Sequence, residues 1–153
     1  MTVLKEQYGP AAIVTGASSG IGRAFAEQLA ERGFDMILIA RRETLLLEIQ
    51  NDLSTRFGVH VFPIVQDLTE RDAAERIYRR IQETGQEIGL LINNAGYGSY
   101  GAFESLPIES ELTMIDLACR AMVDISYRFI PGMKQRGRGG IIFVSSMLSQ
   151  FPT

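Results

Sequence analysis

Thr15-Gly16-Ala17-Ser18-Ser19-Gly20-Ile21-Gly22 stands between two stretches of different character. Before it, Ala11–Thr15 is short and almost wholly apolar; after it, Ile21, Phe25, Leu29 and Ala30 recur at helical spacing until Gly33 stops the pattern. A buried strand, a glycine turn and a helix in that order open a parallel α/β layer. Gly16 permits the tight turn, Gly20 lets backbone approach a ligand, and Gly22 lets the helix lie close on the strand. The first helical amides and the hydroxyls of Ser18 and Ser19 suit phosphate oxygens. Gly16, Ser18, Ser19, Gly20, Ile21 and Gly22 are therefore read as a pyrophosphate-binding turn. A tight turn without a ligand is the competing reading, and the buried second strand that follows weighs against it.

Working outward, residues 36–40 form a continuous apolar run, as a strand covered on both faces requires. A Leu-rich helix over Glu43–Phe57 leads to a third strand over 59–65, where Pro63 cannot donate to a ladder and so belongs at a sheet edge. Thr69 with Asp72 marks a helix start leading to Ile77 and Ile81, and Gly85 ends that helix before a fourth strand, Ile88–Asn93. A glycine-rich loop over 94–101 follows. One long helix is then expected from Pro107 or Ile108 to about Met133, frayed at Pro131 and Gly132, before a fifth strand over 141–145. This alternation predicts a single α/β domain over residues 1–153, a doubly wound parallel sheet of Rossmann type. The expected strand order is 3-2-1-4-5, with the glycine turn at the switch point between strands 1 and 4.

A net charge of −3 and scattered Lys and Arg residues supply no basic stripe, so nucleic acid is not an expected partner. The single cysteine, Cys119, lies in an apolar helical stretch and reads as core packing in a reducing compartment. Lys5 and Glu6 interrupt the place where a signal peptide needs an apolar run, and no stretch is long and uncharged enough to span a membrane. A cytoplasmic protein with no membrane partner is expected. His60 falls in the third strand by alternation, without a partner at ligand spacing, and no metal site is expected.

The glycine spacing departs from Gly-x-Gly-x-x-Gly. Together with Asp67-Leu68 after the third strand, Asn93-Asn94-Ala95-Gly96 after the fourth and Ser145-Ser146 after the fifth, it resembles the short-chain dehydrogenase/reductase family over almost the whole chain. The resemblance implies hydride transfer between a nicotinamide cofactor and a carbonyl or alcohol. It implies that Asp67 bonds the adenine amino group with Leu68 packed near the ring, and that Asn93 largely ties neighbouring strands. The backbone of Asn94, Ala95 and Gly96 would line the nicotinamide-side ribose, and Ser146, beside Ser145, would orient the substrate oxygen. Capping of the next helix is the other reading of Asp67, and the two roles are compatible. Tyr97 and Tyr100 are expected as substrate-side walls or surface residues.

Read on their own chemistry, Arg41 and Arg42 follow Ala40 where an acidic residue would bond a ribose 2′-hydroxyl. A guanidinium there suits a 2′-phosphate, so NADP(H) is expected ahead of NAD(H), and Arg41 ahead of Arg42; two solvated charges at a helix start are the alternative.

The pattern breaks in two places. The resemblance calls for a Tyr-x-x-x-Lys segment about a dozen residues beyond the Ser, and the 153-residue sequence stops short of it; Ala118 stands where family members usually carry an Asn. A truncated oxidoreductase, inactive alone, is therefore expected, with a non-catalytic nucleotide-binding or interaction module as the other reading. Apolar residues spread widely around the long helix, beside a fifth strand with an open edge, predict a homo-oligomer.

Overall fold

The computed structural model describes residues 3–146. Five strands, β1 (Ala11–Thr15), β2 (Asp35–Ala40), β3 (Val61–Val65), β4 (Ile88–Asn93) and β5 (Gly140–Phe143), form one sheet ordered 3-2-1-4-5. Every pairing is parallel, with Ile13 opposite Ile37 and Leu91 at the sheet centre. Successive side chains point to opposite faces, so each central strand feeds two cores. Ala12, Val14, Met36 and Leu38 pack beneath α2 (Gly20–Glu31) and α3 (Glu43–Phe57). Ile13, Ile37, Ile39 and Leu91 pack beneath α4 (Ala73–Thr84) and α6 (Met122–Arg136). Burial on both faces explains why these strands read as unbroken apolar runs.

The boundaries hold several corrections. A short helix, α1 (Val3–Tyr8), precedes β1, and its Tyr8 packs against the first core. The edge strand begins at Val61, so His60 precedes it and is exposed; its N–H donates to Asp35 Oδ1 at 2.9 Å, while its carbonyl still accepts from Met36 N–H at 2.8 Å. Pro63 sits in that edge strand. Thr69 lies in the turn before α4, whose N-cap residue is Asp72; the Asp72 carboxylate accepts from Arg76 at 2.8 Å instead of capping the helix amides. The last strand begins at Gly140 and ends at Phe143, with one further ladder bond from Val144 N–H to the Asn93 carbonyl at 2.9 Å, so Ser145 and Ser146 lie beyond it.

The long helix is longer than expected and is not uniform. α5 (Ile108–Ile115) passes through a π-helical segment, Asp116–Ala121, into α6, which continues through Pro131 and Gly132 to Arg136. Pro131 is exposed, so the carbonyl one turn earlier can turn to water instead of needing the missing amide. Ala121 and Leu117 meet the second core and Cys119 points outward, which corrects the expectation that Cys119 packs in the core. Among the described residues no helix is long and apolar enough to cross a membrane.

Candidate cofactor site

Parallel strands bring all their carboxyl ends to one edge of the sheet, and the order 3-2-1-4-5 parts the crossovers between β1 and β4. An open cleft of 1080 Å³ lies at that point. Every site residue singled out from the sequence lines it except Gly22, which lies behind the glycine turn.

The turn is made by close backbone approach. Gly16 has φ +65, and a Cβ on it would lie 2.9 Å from the Ala95 Cα. A Cβ on Gly22 would fall on the Gly16 carbonyl oxygen, so α2 can close on the turn only without one. Beneath them the buried Thr15 hydroxyl accepts from the N–H groups of Asn94 and Ala95 at 2.9 and 3.0 Å and donates to the Ile92 carbonyl at 3.3 Å. Asn94 Nδ2 donates to the Thr15 carbonyl at 2.9 Å. The ends of β1 and β4 are thereby tied by Thr15 and Asn94. Asn93, expected as the strand tie, instead donates from Nδ2 to Ser126 Oγ on α6 at 3.0 Å.

At the rim, Arg42 donates to Ser18 Oγ from Nε and Nη2 at 3.2 and 2.8 Å, and to Ser19 Oγ from Nη2 at 2.6 Å. Both hydroxyls act as acceptors in these bonds, which leaves their protons for other acceptors. Ser19 makes no side-chain cap to α2, and the first turn of that helix carries no acidic residue. Its positive end therefore faces the cleft without a carboxylate to neutralise it. Arg41 lies on the other side, with Nη1 3.8 Å from Asp67 Oδ2 and a largely exposed side chain. At that distance, in water, the pair is weak and leaves the guanidinium available.

Asp67 is the only carboxylate among the described residues that line the cleft. Its Oδ1 accepts from Thr69 N–H and Oγ1 at 2.9 and 2.8 Å, so it closes a local turn and does not cap α4. Burial pushes its pKa up, but the Thr69 bonds and the Arg41 guanidinium outweigh that and hold it below the ordinary carboxylate value. Leu68 is buried in the second core while still forming part of the wall.

The opposite end of the cleft is apolar, with Tyr97, Met114, Leu117, Met122, Phe143 and Val144 around Ala118 and the two serines after β5. Tyr97 is fixed by its phenol donating to the Ser110 carbonyl at 2.9 Å, whereas Tyr100 is wholly exposed and outside the lining. The sequence reading passed over Thr15, Gln66 and the methionines of this wall. Only Thr15 carried a local signal, a hydroxyl in a strand otherwise apolar and covered on both faces.

A profile described as short chain dehydrogenase matches residues 10–153. The chain belongs to the short-chain dehydrogenase family. Among curated relatives, this short-chain dehydrogenase chain is 36% identical over 151 residues to a very-long-chain 3-oxoacyl-CoA reductase of Anas platyrhynchos, covering 95% of this chain and 47% of the relative. It is also 36% identical over 149 residues to an inactive hydroxysteroid dehydrogenase-like protein 1 of Pongo abelii, covering 94% and 44%. The chain thus spans about half the length of the curated relatives it matches. Among solved structures, a short-chain dehydrogenase from Sphingobium yanoikuyae in complex with NADPH superposes with a TM-score of 0.86 at 34% identity, covering 92% of this chain and 55% of that one.

Proposed function

We propose that these residues form the cofactor-binding part of an NADP(H)-dependent oxidoreductase that moves a hydride between the nicotinamide ring and a carbonyl or alcohol. The observation that carries this reading is the pair of guanidinium groups at the cleft rim, Arg42 seated on Ser18 and Ser19 and Arg41 beside Asp67. A 2′-phosphate needs charge-assisted donors where an NAD-type site places a carboxylate, and Ala40 offers none. The seating of Arg42 gives it a part at least equal to that of Arg41. NADPH in the Sphingobium relative supports the same choice.

The remaining lining residues fit a dinucleotide. The amide end of α2 with Gly16, Ser18, Ser19, Gly20 and Ile21 would hold the pyrophosphate, with Gly22 allowing the turn to close. Asp67 and Leu68 would hold the adenine, and the backbone of Asn94, Ala95 and Gly96 the nicotinamide-side ribose. When bound, the nicotinamide supplies or takes the hydride. Ser146 would orient the substrate oxygen, but a hydroxyl at neutral pH is a poor proton donor, and the 153 residues contain no Tyr-x-x-x-Lys. The 153-residue polypeptide by itself is therefore read as a binder without turnover.

Self-association belongs to the same reading. Leu112 and Ile115 on α5 and Val123 and Tyr127 on α6 are exposed, and Ile142 and Phe143 are exposed on the edge strand β5. We read this face as meeting a second copy of the chain.

Calorimetry tests the cofactor assignment. NADPH should bind about 10- to 100-fold more tightly than NADH, the effect of one or two hydrogen bonds to a charged group. Arg41→Ala and Arg42→Ala should each narrow the difference. Equal affinities in the unmutated protein would remove the basis for NADP(H).

A further inference from the structure

We propose that Arg120 is a positioning residue for the adenosine end of the cleft, acting through the backbone of Thr69; the assignment rests on the cofactor reading above. Arg120 lies in the π segment, whose Leu117 and Ala118 line the apolar end of the cleft. Its Nε donates to Asp116 Oδ1 at 2.6 Å, and its Nη2 donates to the Thr69 carbonyl at 2.7 Å. Asp116, one turn earlier, engages one edge of the planar guanidinium and so aims the other.

Thr69 then does the local work. Its N–H and hydroxyl hold Asp67 Oδ1, and Asp67 Oδ2 faces Arg41. A continuous series of polar contacts therefore runs from the helix layer, through the turn after β3, to the guanidinium at the rim. Other hydrogen bonds of that turn run to β2 and α4, from Gln66 N–H to the Ala40 carbonyl and from Arg76 to Gln66 and Glu70. Arg120 adds an anchor to the opposite wall of the cleft and so holds the two walls at a set separation. Without it, the Thr69 carbonyl turns to water and the turn can rotate, which carries Asp67 and Leu68 away from their positions. The opposite end is held independently by the Thr15 hydroxyl on Asn94 and Ala95.

This separation of anchors defines the test. Calorimetry is run with adenosine 2′,5′-bisphosphate and with nicotinamide mononucleotide, the two halves of the dinucleotide, on the unmutated protein, Arg120→Met and Arg120→Lys. Arg120→Met should weaken the bisphosphate by about 5- to 10-fold, the effect of one charge-assisted hydrogen bond exposed in part to water, and leave the mononucleotide unchanged. Arg120→Lys keeps a charged donor for the Thr69 carbonyl and should recover most of the loss. Unchanged bisphosphate binding in Arg120→Met, or equal weakening of both halves, would overturn the assignment, because a general packing role predicts no preference between them. If the unmutated protein bound neither half, the cofactor reading would fall and take the assignment with it. Should Arg120→Met not fold, Asp116→Ala removes the acceptor that aims the guanidinium and should give a smaller loss confined to the bisphosphate; no loss there would also overturn the assignment.

Discussion

Thr15→Val replaces a hydroxyl by a methyl of nearly the same volume, so its effect reports hydrogen bonding more than packing. The hydroxyl is buried and serves three backbone groups, the amides of Asn94 and Ala95 and the carbonyl of Ile92. Valine leaves all three without that partner. An unsatisfied buried polar group costs about 1–3 kcal/mol; because Asn94 and Ala95 are half-buried the low end applies to their amides, about 2 kcal/mol together, and the Ile92 carbonyl, whose bond is the longest of the three at 3.3 Å, adds up to about 2 kcal/mol, for a total of about 2–4 kcal/mol. Against an ordinary stability of about 5–15 kcal/mol this is a large fraction. At roughly 2–4 °C per kcal/mol for a chain of this size, the melting midpoint should fall by about 5–15 °C. Thr15→Ser is the control, since it keeps the hydroxyl and loses only one methyl, worth about 1 kcal/mol. Urea unfolding of the three proteins, followed by circular dichroism, measures the difference. If valine cost no more than serine, the hydroxyl would not be the tie between β1 and β4, and the description of the cleft floor would be wrong.

Four further outcomes are expected. Gly22→Ala should destabilise the fold by about 1–3 kcal/mol or more and abolish nucleotide binding, because its Cβ would fall on the Gly16 carbonyl oxygen, itself backbone; thermal melts and calorimetry check this, and a neutral result would mean that α2 can move away without cost. Asp67 has a folded pKa below its unfolded value, so it contributes stability above the unfolded pKa, near 3.8, that is lost as the pH falls through the folded pKa. The stability gap between the unmutated protein and Asp67→Asn should therefore be full at pH ~6 and close below pH ~4, by urea titration at each pH; a gap that widens in acid would reverse the assigned sign. The 153-residue polypeptide should show no carbonyl-dependent NADPH oxidation, and turnover abolished by Ser146→Ala would show that the proton comes from elsewhere in these residues. Sedimentation at micromolar concentration should give a dimer or higher oligomer, since burying several hundred Å² of apolar surface at roughly 25 cal/mol per Å² offers many kcal/mol before association costs; a well-behaved monomer would refute the open face.

The parts of the fold that were legible are those in which one residue's environment is set by its neighbours in sequence. β1, β2 and β4 sit between two cores, so every side chain is apolar and the run announces itself. Pro63 placed β3 at an edge for a covalent reason, its missing donor. The ends were less legible. His60 joins a backbone bond with Met36 yet lies outside the strand because the Asp35 carboxylate takes its N–H, a contact between residues 25 positions apart. The π segment had no readable cause at all. Its residues follow an ordinary apolar periodicity, with Leu117 and Ala121, four positions apart, on the second core and Cys119 between them facing out.

The candidate site divides in the same way. The glycine turn proposed to hold the pyrophosphate is contiguous, and its chemistry follows from glycines, hydroxyls and a helix start lying next to one another in the chain. The walls are assembled from distant segments: Thr15 meets Asn94 across 79 positions, and Arg120 meets Thr69 across 51. The i,i+4 pair Asp116 and Arg120 could be read from the sequence as an ordinary helix-surface ion pair, worth a few tenths of a kcal/mol and carrying no function. Only the fold shows that Asp116 leaves the far edge of the guanidinium pointing at a carbonyl beside Asp67. The orientations of Arg41 and Arg42 are set beyond the motif in the same way. Both follow β2, and the structure turns Arg42 onto the Ser18 and Ser19 hydroxyls and Arg41 toward Asp67. A local motif thus gives the glycine turn and its hydroxyls, while the side chains proposed to choose between nucleotides take orientations that depend on contacts the motif does not contain.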